Sequence, residues 1–309
     1  NDKETVINSA TFLAIENPST DVARYRAGDL DMTNYALPPE QFAKLQKELP
    51  GEVFTTRTLA TYSYELNNKK APFDNVNVRK ALNLSLDRNV ITDKVLGQGQ
   101  TPTYVFTPTY IEEGQLIQQP AYSKEPMAQR NEEAIKLLEE AGYSKANPLK
   151  FSILYNTNEN HKKVAIAAAS MWKANTKGLI DVKLENQEWK TYIDSRRAGR
   201  YDAARAGWNA DYNQATTFGN YFLSNSSNNT AKYANPEYDK AIAESYVATD
   251  AEGRAKAYAK AEEILAKDFG IVPIFNYVNP RLVKPYVKGY SGKDPQDHIY
   301  LRNLYIIKH

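Results

Sequence analysis

The chain has 309 residues, of which 42% are hydrophobic and 25% charged, an ordinary globular composition with length enough for two domains. Its 39 basic and 37 acidic side chains leave a net charge of only +2, and no basic tract stands out, which argues against nucleic acid as a partner. The absence of cysteine excludes disulfides and thiolate chemistry, and no apolar run approaches the length of a membrane helix.

Strand-like and helix-like segments alternate along the chain, which predicts an α/β architecture. In chain order, strands are expected at 6–7, 12–15, 28–32, 61–66, 149–155, 180–184, 201–206, 271–277 and 300–307. Helices are expected at 21–27, 39–49, 75–96 (one helix or two), 126–141, 161–176, 189–198, 236–248 and 250–267. The first strands lie so near residue 1 that the chain is expected to begin inside structure, as a processed or truncated product would.

Several helix ends carry sequence signals. Pro126 suits the first turn of a helix, and Gly142 suits the position just beyond the end of the same helix. Asp74 or Asn75 is expected to cap the helix that follows it, and Asp250 is expected to cap the last helix. The segment 101–122 contains three prolines and is expected to be irregular.

The segment 205–212 contains the most suggestive group of side chains. Asp211 lies between Trp208 and Tyr212, and Arg205 precedes them at the end of an expected strand. A carboxylate suits an ammonium group, a guanidinium suits a carboxylate, and flat rings suit variable side chains, so the segment fits a zwitterionic ligand. A surface aspartate near a tryptophan is also common in proteins, so spacing alone leaves both interpretations open.

Catalytic and cofactor signatures are missing from the sequence. There is no nucleophile elbow, phosphate loop or dinucleotide fingerprint, and the three histidines have no companions at metal-ligand spacing. We therefore expect no cofactor and no metal, and a binding cleft is the favoured use of Trp189, Arg196, Arg205, Trp208 and Asp211. A peptidase or amidase that uses a carboxylate in the same cleft is the alternative from a different class.

Longer segments resemble a known family. Residues 72–88 and 131–143 resemble the peptide/nickel class of solute-binding proteins of ABC importers. Residues 188–192, 205–212, 226–231 and 305–309 are similar to oligopeptide-binding members of that family from enterobacteria. Murein-tripeptide-binding members share several of these segments and are the alternative. The likeness covers essentially the whole chain.

The resemblance implies a periplasmic binding protein-like fold of the class II type, with lobed mixed sheets flanked by helices. It assigns residues 1–59 to part of lobe I, 60–278 to lobe III and 279–309 to a C-terminal return to lobe I. The N-terminal segment of lobe I and all of lobe II then look missing, and the sequence leaves open whether they form a separate chain. The implied function is periplasmic capture of short peptides with little sequence preference and their delivery to a membrane ABC permease.

The resemblance also implies roles for individual residues. Asp211 is expected to hold the ligand α-ammonium, and Arg205, Arg196 and His161 are expected to act as cations that meet the ligand carboxylate. The expected pocket walls are Trp189, Trp208 and Tyr277. The expected backbone partners are Gly207 and Asn209, and Glu65 is expected to face basic side chains of the ligand. Ala60 and Asn209 stand where similar family members carry a disulfide-bonded cysteine pair.

Overall fold

The structure is a computed structural model that describes residues 5–15, 17–34 and 36–308. The chain divides into two units. The first unit comprises Asn1–Thr58, Leu96–Gln100 and Tyr277–His309, and the second unit comprises Leu59–Val95 and Thr101–Asn276. None of the helices among the described residues has the length and apolar character that a membrane crossing needs.

Helices and strands alternate as the sequence predicts. The helices are α1 Pro18–Ala27, α2 Pro39–Glu48, α3 Val76–Leu84, α4 Met127–Glu140, α5 Glu159–Asn175, α6 Trp189–Arg197, α7 Thr216–Gly219, α8 Pro236–Val247 and α9 Ala251–Lys267. The strands are β1 Val53–Leu66, β2 Thr101–Pro102, β3 Leu149–Asn156, β4 Ile180–Gln187, β5 Ala203–Asn209, β6 Ile271–Leu282, β7 Val287–Lys288 and β8 Tyr305–Ile306.

A six-stranded mixed sheet has the order β2-β6-β1-β5-β3-β4. Strand β3 runs parallel to β4 and β5, because a helix connects each strand to the next, whereas β1 and β5 are antiparallel. The α/β class, with mixed sheets flanked by helices, is confirmed.

The ends of the second unit's helices follow from their sequence signals. The Asn75 side chain accepts from the backbone N–H of Asn77 at 2.9 Å, and Asp250 accepts from Gly253 at 2.7 Å. Both capping predictions are therefore confirmed, with Asn75 rather than Asp74 as the cap. Gly142 has φ of +90° just beyond α4, a left-handed conformation that glycine adopts at little cost.

Aromatic side chains dominate the core of the second unit. One cluster gathers buried residues from α7, α8, α9 and the loops beside them, among them Phe106, Phe218, Tyr221, Phe222 and Tyr258. In another part of this unit Trp172 is fully buried and lies 5.9 Å from the Tyr64 ring and 5.7 Å from the Phe151 ring. Its indole Nε1 donates to the Leu82 carbonyl at 2.9 Å, which satisfies the one polar group that the ring carries into the core.

The first unit has a smaller core of its own. Tyr25 from α1 and Leu45 from α2 are fully buried and pack with Leu37 and Leu282. Asn17 caps α1, which therefore begins at Pro18 and not at the expected Asp21, because proline suits the first helical turn.

Some expected elements are wrong. The described residues of 5–15 contain no strand, and Phe12 is 82% exposed, so apolar alternation without a partner strand did not make a sheet there. The expected strand at 28–32 is reduced to a single bridge between Met32 and Val283. The final strand is limited to β8, because a 3₁₀ turn at Leu301–Asn303 occupies the start of the predicted segment.

We expect Trp172→Phe to lower the free energy of unfolding by about 2–4 kcal/mol, because it removes a buried hydrogen bond and leaves a cavity. The matched control is Trp189→Phe, since Trp189 is 57% exposed and its loss should change stability by no more than about 0.5 kcal/mol. Urea unfolding followed by circular dichroism measures both. Equal midpoints for the two variants would contradict the packing described for Trp172.

Candidate functional site

The end of strand β5 carries most of the residues singled out from the sequence. Arg205, Gly207, Trp208 and Asn209 lie on this strand, and Asp211 follows in the turn after it. Asp211 and Asn209 are exposed, whereas Arg205, Gly207 and Trp208 are partly buried. The sequence thus places a carboxylate, a guanidinium and an indole along a single short segment of one strand.

Strand β5 is paired on both sides only at its beginning. Ala203 and Ala204 face Ile153 and Leu154 of β3, and the described structure shows no further pairing between these two strands. On its other side β5 pairs with β1 along its whole length, 203–209. From Arg205 onward, β5 therefore has an edge that no strand of the described chain covers.

The register shows which backbone groups face this edge. The backbone N–H of Ala210 donates to a carbonyl of β1 at 2.8 Å. Because hydrogen-bonded and non-hydrogen-bonded pairs alternate in antiparallel strands, the backbone groups of Arg205, Gly207 and Asn209 point away from β1. The carbonyl of Arg205 indeed accepts a hydrogen bond from the Tyr192 hydroxyl on that side. Gly207 and Asn209 are the next residues along the open edge.

Asp211 is held by a threonine that the sequence analysis did not identify. The backbone N–H of Asp211 donates to the Thr217 hydroxyl at 3.2 Å, and that hydroxyl lies 3.2 Å from Oδ2 of Asp211. The indole Nε1 of Trp208 donates to the same hydroxyl at 3.2 Å. The Trp208 ring also meets the Tyr221 ring edge-on, with centroids 4.9 Å apart. The expected anchor and one expected pocket wall are thus connected.

Arg205 and His161 both lie beside the Tyr62 ring. The guanidinium carbon of Arg205 is 5.2 Å from the ring centroid, and the imidazole centroid of His161 is 5.5 Å from it. Burial lowers the pKa of His161 well below its ordinary value, and the charge of Arg205 lowers that pKa further. The lowered pKa favours the neutral imidazole near pH 7, whereas His161 was expected to act as a cation, and its role toward a ligand stays a prediction. A neutral imidazole still offers one N–H donor to a carboxylate.

Glu65 and Arg196 form a buried ion pair, which the sequence analysis did not anticipate. Their side chains are 0% and 10% exposed, and the N···O distance is 2.9 Å. The hydroxyl of Tyr221 donates to Glu65 at 2.6 Å, and the Thr230 hydroxyl donates to its other oxygen. Burial is the largest single influence on the pKa of Arg196 and lowers it. The Glu65 charge and hydrogen bond, together with Tyr192 and Tyr221, outweigh burial and raise this pKa well above its ordinary value.

This arrangement bears on the expected roles of both residues. Glu65 was expected to face basic side chains of a ligand, yet its carboxylate is enclosed and its charge is matched by Arg196. Arg196 was expected to meet the ligand carboxylate, yet its guanidinium contacts Glu65, Tyr221 and Thr230. Both side chains are therefore already paired within the described structure, and their roles toward a ligand stay predictions.

The remaining predicted residues are less enclosed. Trp189 begins α6, is 57% exposed and lies 5.8 Å from the Tyr192 ring. Tyr277 lies on β6 within the first unit, is partly buried, and accepts a hydrogen bond from Thr58 at its carbonyl at 3.2 Å. Ala60 and Asn209 face each other directly between β1 and β5, so these two positions are cross-strand neighbours.

No group of three or more histidine and carboxylate side chains that could hold a metal ion occurs among the described residues.

We expect Glu65→Gln to destabilise the second unit by about 3–5 kcal/mol, because it leaves the buried Arg196 without a countercharge. The control is Glu244→Gln, which removes a charge from an exposed pair with Lys260 at 2.9 Å and should leave the unfolding midpoint within error of the parent chain. Urea unfolding of both variants tests this. A similar midpoint for Glu65→Gln and the parent would contradict the buried pair.

We also expect a histidine contribution to the pH dependence of stability. Because the pKa of His161 is lower in the folded chain than in the unfolded chain, the unfolded chain binds an extra proton between the two pKa values. Stability should therefore fall as the pH drops below about 7, with a contribution of up to about 1.4 kcal/mol per pH unit. His161→Gln should make this slope shallower than that of the parent chain. Unfolding curves at several pH values decide, and identical slopes for His161→Gln and the parent would refute the assignment.

Comparison with known proteins identifies the family. The sequence profile of bacterial extracellular solute-binding proteins, family 5 Middle, matches residues 1–230. The periplasmic oligopeptide-binding protein OppA of Haemophilus influenzae is 96% identical over 309 residues, which are 100% of this chain and 57% of that protein. The periplasmic murein peptide-binding protein MppA of Escherichia coli is 44% identical over 306 residues, which are 99% of this chain and 56% of that protein.

This chain superposes with a TM-score of 0.95 on a crystal structure of Haemophilus influenzae OppA in complex with RPPGFSPFR. The two sequences are 95% identical, and the match covers 99% of this chain and 60% of the crystallised chain. The chain thus spans less than three fifths of the length of the curated relatives described above. It belongs to family 5 of the bacterial extracellular solute-binding proteins.

Proposed function

We propose that this chain is part of the periplasmic substrate-binding component of an ABC importer that captures short peptides with little sequence preference. The observation that carries the proposal is the uncovered edge of β5, which ends at the exposed Asp211. An extended peptide pairs with such an edge through its backbone, and all peptides share that backbone. The family membership and the 96% identity to an oligopeptide-binding relative support the same function.

The chemistry of the edge suggests how a peptide would lie. Its α-ammonium would meet Asp211, and its chain would run antiparallel to β5 toward Arg205, whose positive charge suits the terminal carboxylate. Gly207 and Asn209 would offer backbone groups along the way. His161 would contribute an N–H donor rather than a charge, consistent with its lowered pKa.

The side chains of the ligand would meet aromatic surfaces. Trp208, Trp189 and Tyr277 are proposed as pocket walls, and water between them and the ligand would adapt the pockets to different side chains. Glu65 and Arg196 are proposed to support the site through their ion pair. The membrane ABC permease is the proposed recipient of the peptide.

The lobe assignment remains part of the proposal. Residues 1–59 and 279–309 would contribute to lobe I, and residues 60–278 would form lobe III. The remaining part of a protein like the Haemophilus influenzae relative would supply the rest of the binding cleft. Peptide binding is therefore best measured in a protein that restores the part of that relative which this chain does not cover.

A murein-tripeptide-binding function is the second candidate, because the chain is 44% identical to a murein peptide-binding protein. The higher identity to the oligopeptide-binding relative favours the first candidate. Competition between a murein tripeptide and ordinary tripeptides for the restored protein separates the two. We propose binding without catalysis, and recovery of intact peptide after long incubation with repurified protein tests that part.

We expect Asp211→Asn to weaken the binding of a tripeptide with a free N-terminus by at least about tenfold, because it removes the charge that meets the ammonium. The N-acetylated form of the same tripeptide should change by less than about threefold. Isothermal titration calorimetry on the restored protein measures both, with Asp181→Asn on β4 as a control of the same chemistry. Equal losses for the two peptides would show that Asp211 does not bind the ammonium.

A further inference from the structure

The hydroxyl of Thr217 makes every hydrogen bond that a hydroxyl can make. It accepts from the backbone N–H of Asp211 and from the indole N–H of Trp208, each at 3.2 Å. A threonine hydroxyl has two acceptor lone pairs and a single proton, so the proton is left to donate to Oδ2 of Asp211 at 3.2 Å. The polarity of all three bonds is therefore determined.

The hydroxyl is also held firmly in place. Thr217 is 4% exposed and lies on the short helix α7. Its neighbour Phe218 is fully buried in the aromatic core, and the Thr216 hydroxyl lies 2.6 Å from the Tyr258 hydroxyl of α9. The core of the second unit thus fixes the helix that presents the Thr217 hydroxyl to Asp211.

The consequence for Asp211 is a fixed carboxylate. Oδ2 is engaged by Thr217, whereas Oδ1 accepts no hydrogen bond from any residue that the structure describes. An exposed aspartate would otherwise rotate among several orientations and lose that freedom on binding a ligand. With Oδ2 held by Thr217, the exposed carboxylate has fewer orientations to lose when a cationic donor binds it.

We propose that Thr217 is a positioning residue for peptide binding, which holds Asp211 ready for the α-ammonium group and fixes the Trp208 wall beside it. This inference rests on the proposed function of Asp211. The same hydroxyl binds the side chains of both Asp211 and Trp208. The anchor for the ligand terminus and the wall of the adjacent pocket therefore stay at a fixed distance from each other. Thr217 itself does not touch the ligand.

The test compares Thr217→Val with the parent in the restored full-length protein. Valine keeps the shape of threonine but lacks the hydroxyl, so we expect binding of a free tripeptide to weaken by about tenfold. Binding of its N-acetylated form should weaken by less than about threefold, and Thr217→Ser should restore the parent affinity for both peptides. In an Asp211→Asn background, Thr217→Val should cause no further selective loss, because no charged group remains to be positioned.

The control is Thr176→Val, which removes a buried hydroxyl that donates to the Trp172 carbonyl at 2.6 Å rather than to Asp211, and should leave both affinities unchanged. Thermal unfolding of each variant checks the fold, and Thr217→Ala replaces Thr217→Val if valine prevents folding. If Asp211→Asn is selective for the free terminus and neither Thr217 variant is, the inference is wrong and the proposed function stands. If Asp211→Asn itself shows no selectivity, the assigned anchor and the inference fail together.

Discussion

A buried charge pair holds the site-bearing face of the second unit together. Glu65 on β1 and Arg196 on α6 are enclosed together, and two further hydroxyls donate to the carboxylate. Neither charge is tolerable alone in such surroundings, so the strand and the helix must stay together. Tyr221 contacts both the buried pair and the residues of the edge, because its hydroxyl donates to Glu65 while its ring packs against Trp208. Tyr221 thus connects the buried pair to Trp208 on strand β5.

Strand β5 has one stretch of backbone, from Arg205 onward, that no strand of the described chain covers on one side. Strand β5 is an inner strand at Ala203 and Ala204 and an edge strand afterwards. An uncovered edge attracts other strands, and proteins usually block such edges. Here the edge is short and ends in the charged Asp211, which suits a short strand with a free terminus better than a long one. In the proposed function, the same backbone feature would provide affinity and would limit the length of peptide that binds.

Local signals explain what the sequence predicted correctly. The cap at Asn75 and the glycine after α4 act within a few residues, so they are readable without a fold. The proximity of Asp211, Trp208 and Arg205 likewise follows from their places in one segment, although their role as a site stays a proposal. By contrast, the partners of Glu65 lie 131, 156 and 165 residues away in the chain, so their contact depends on tertiary packing. Thr217 lies only six residues after Asp211, but no sequence pattern predicts the turn that brings its hydroxyl within hydrogen-bond distance of Asp211.

The facing positions Ala60 and Asn209 have a geometric consequence of their own. They form a non-hydrogen-bonded pair, in which antiparallel Cα atoms lie only about 4.5 Å apart. That spacing falls within the range that a disulfide spans. Two cysteines at these positions could therefore form a disulfide without any shift of the backbone. The strand pair is held here by backbone hydrogen bonds and by side-chain contacts such as that of Arg205 with Tyr62, and no redox-sensitive bond links the two strands. A lineage could gain or lose the covalent link while the uncovered edge of β5, to which Asn209 belongs, kept its shape.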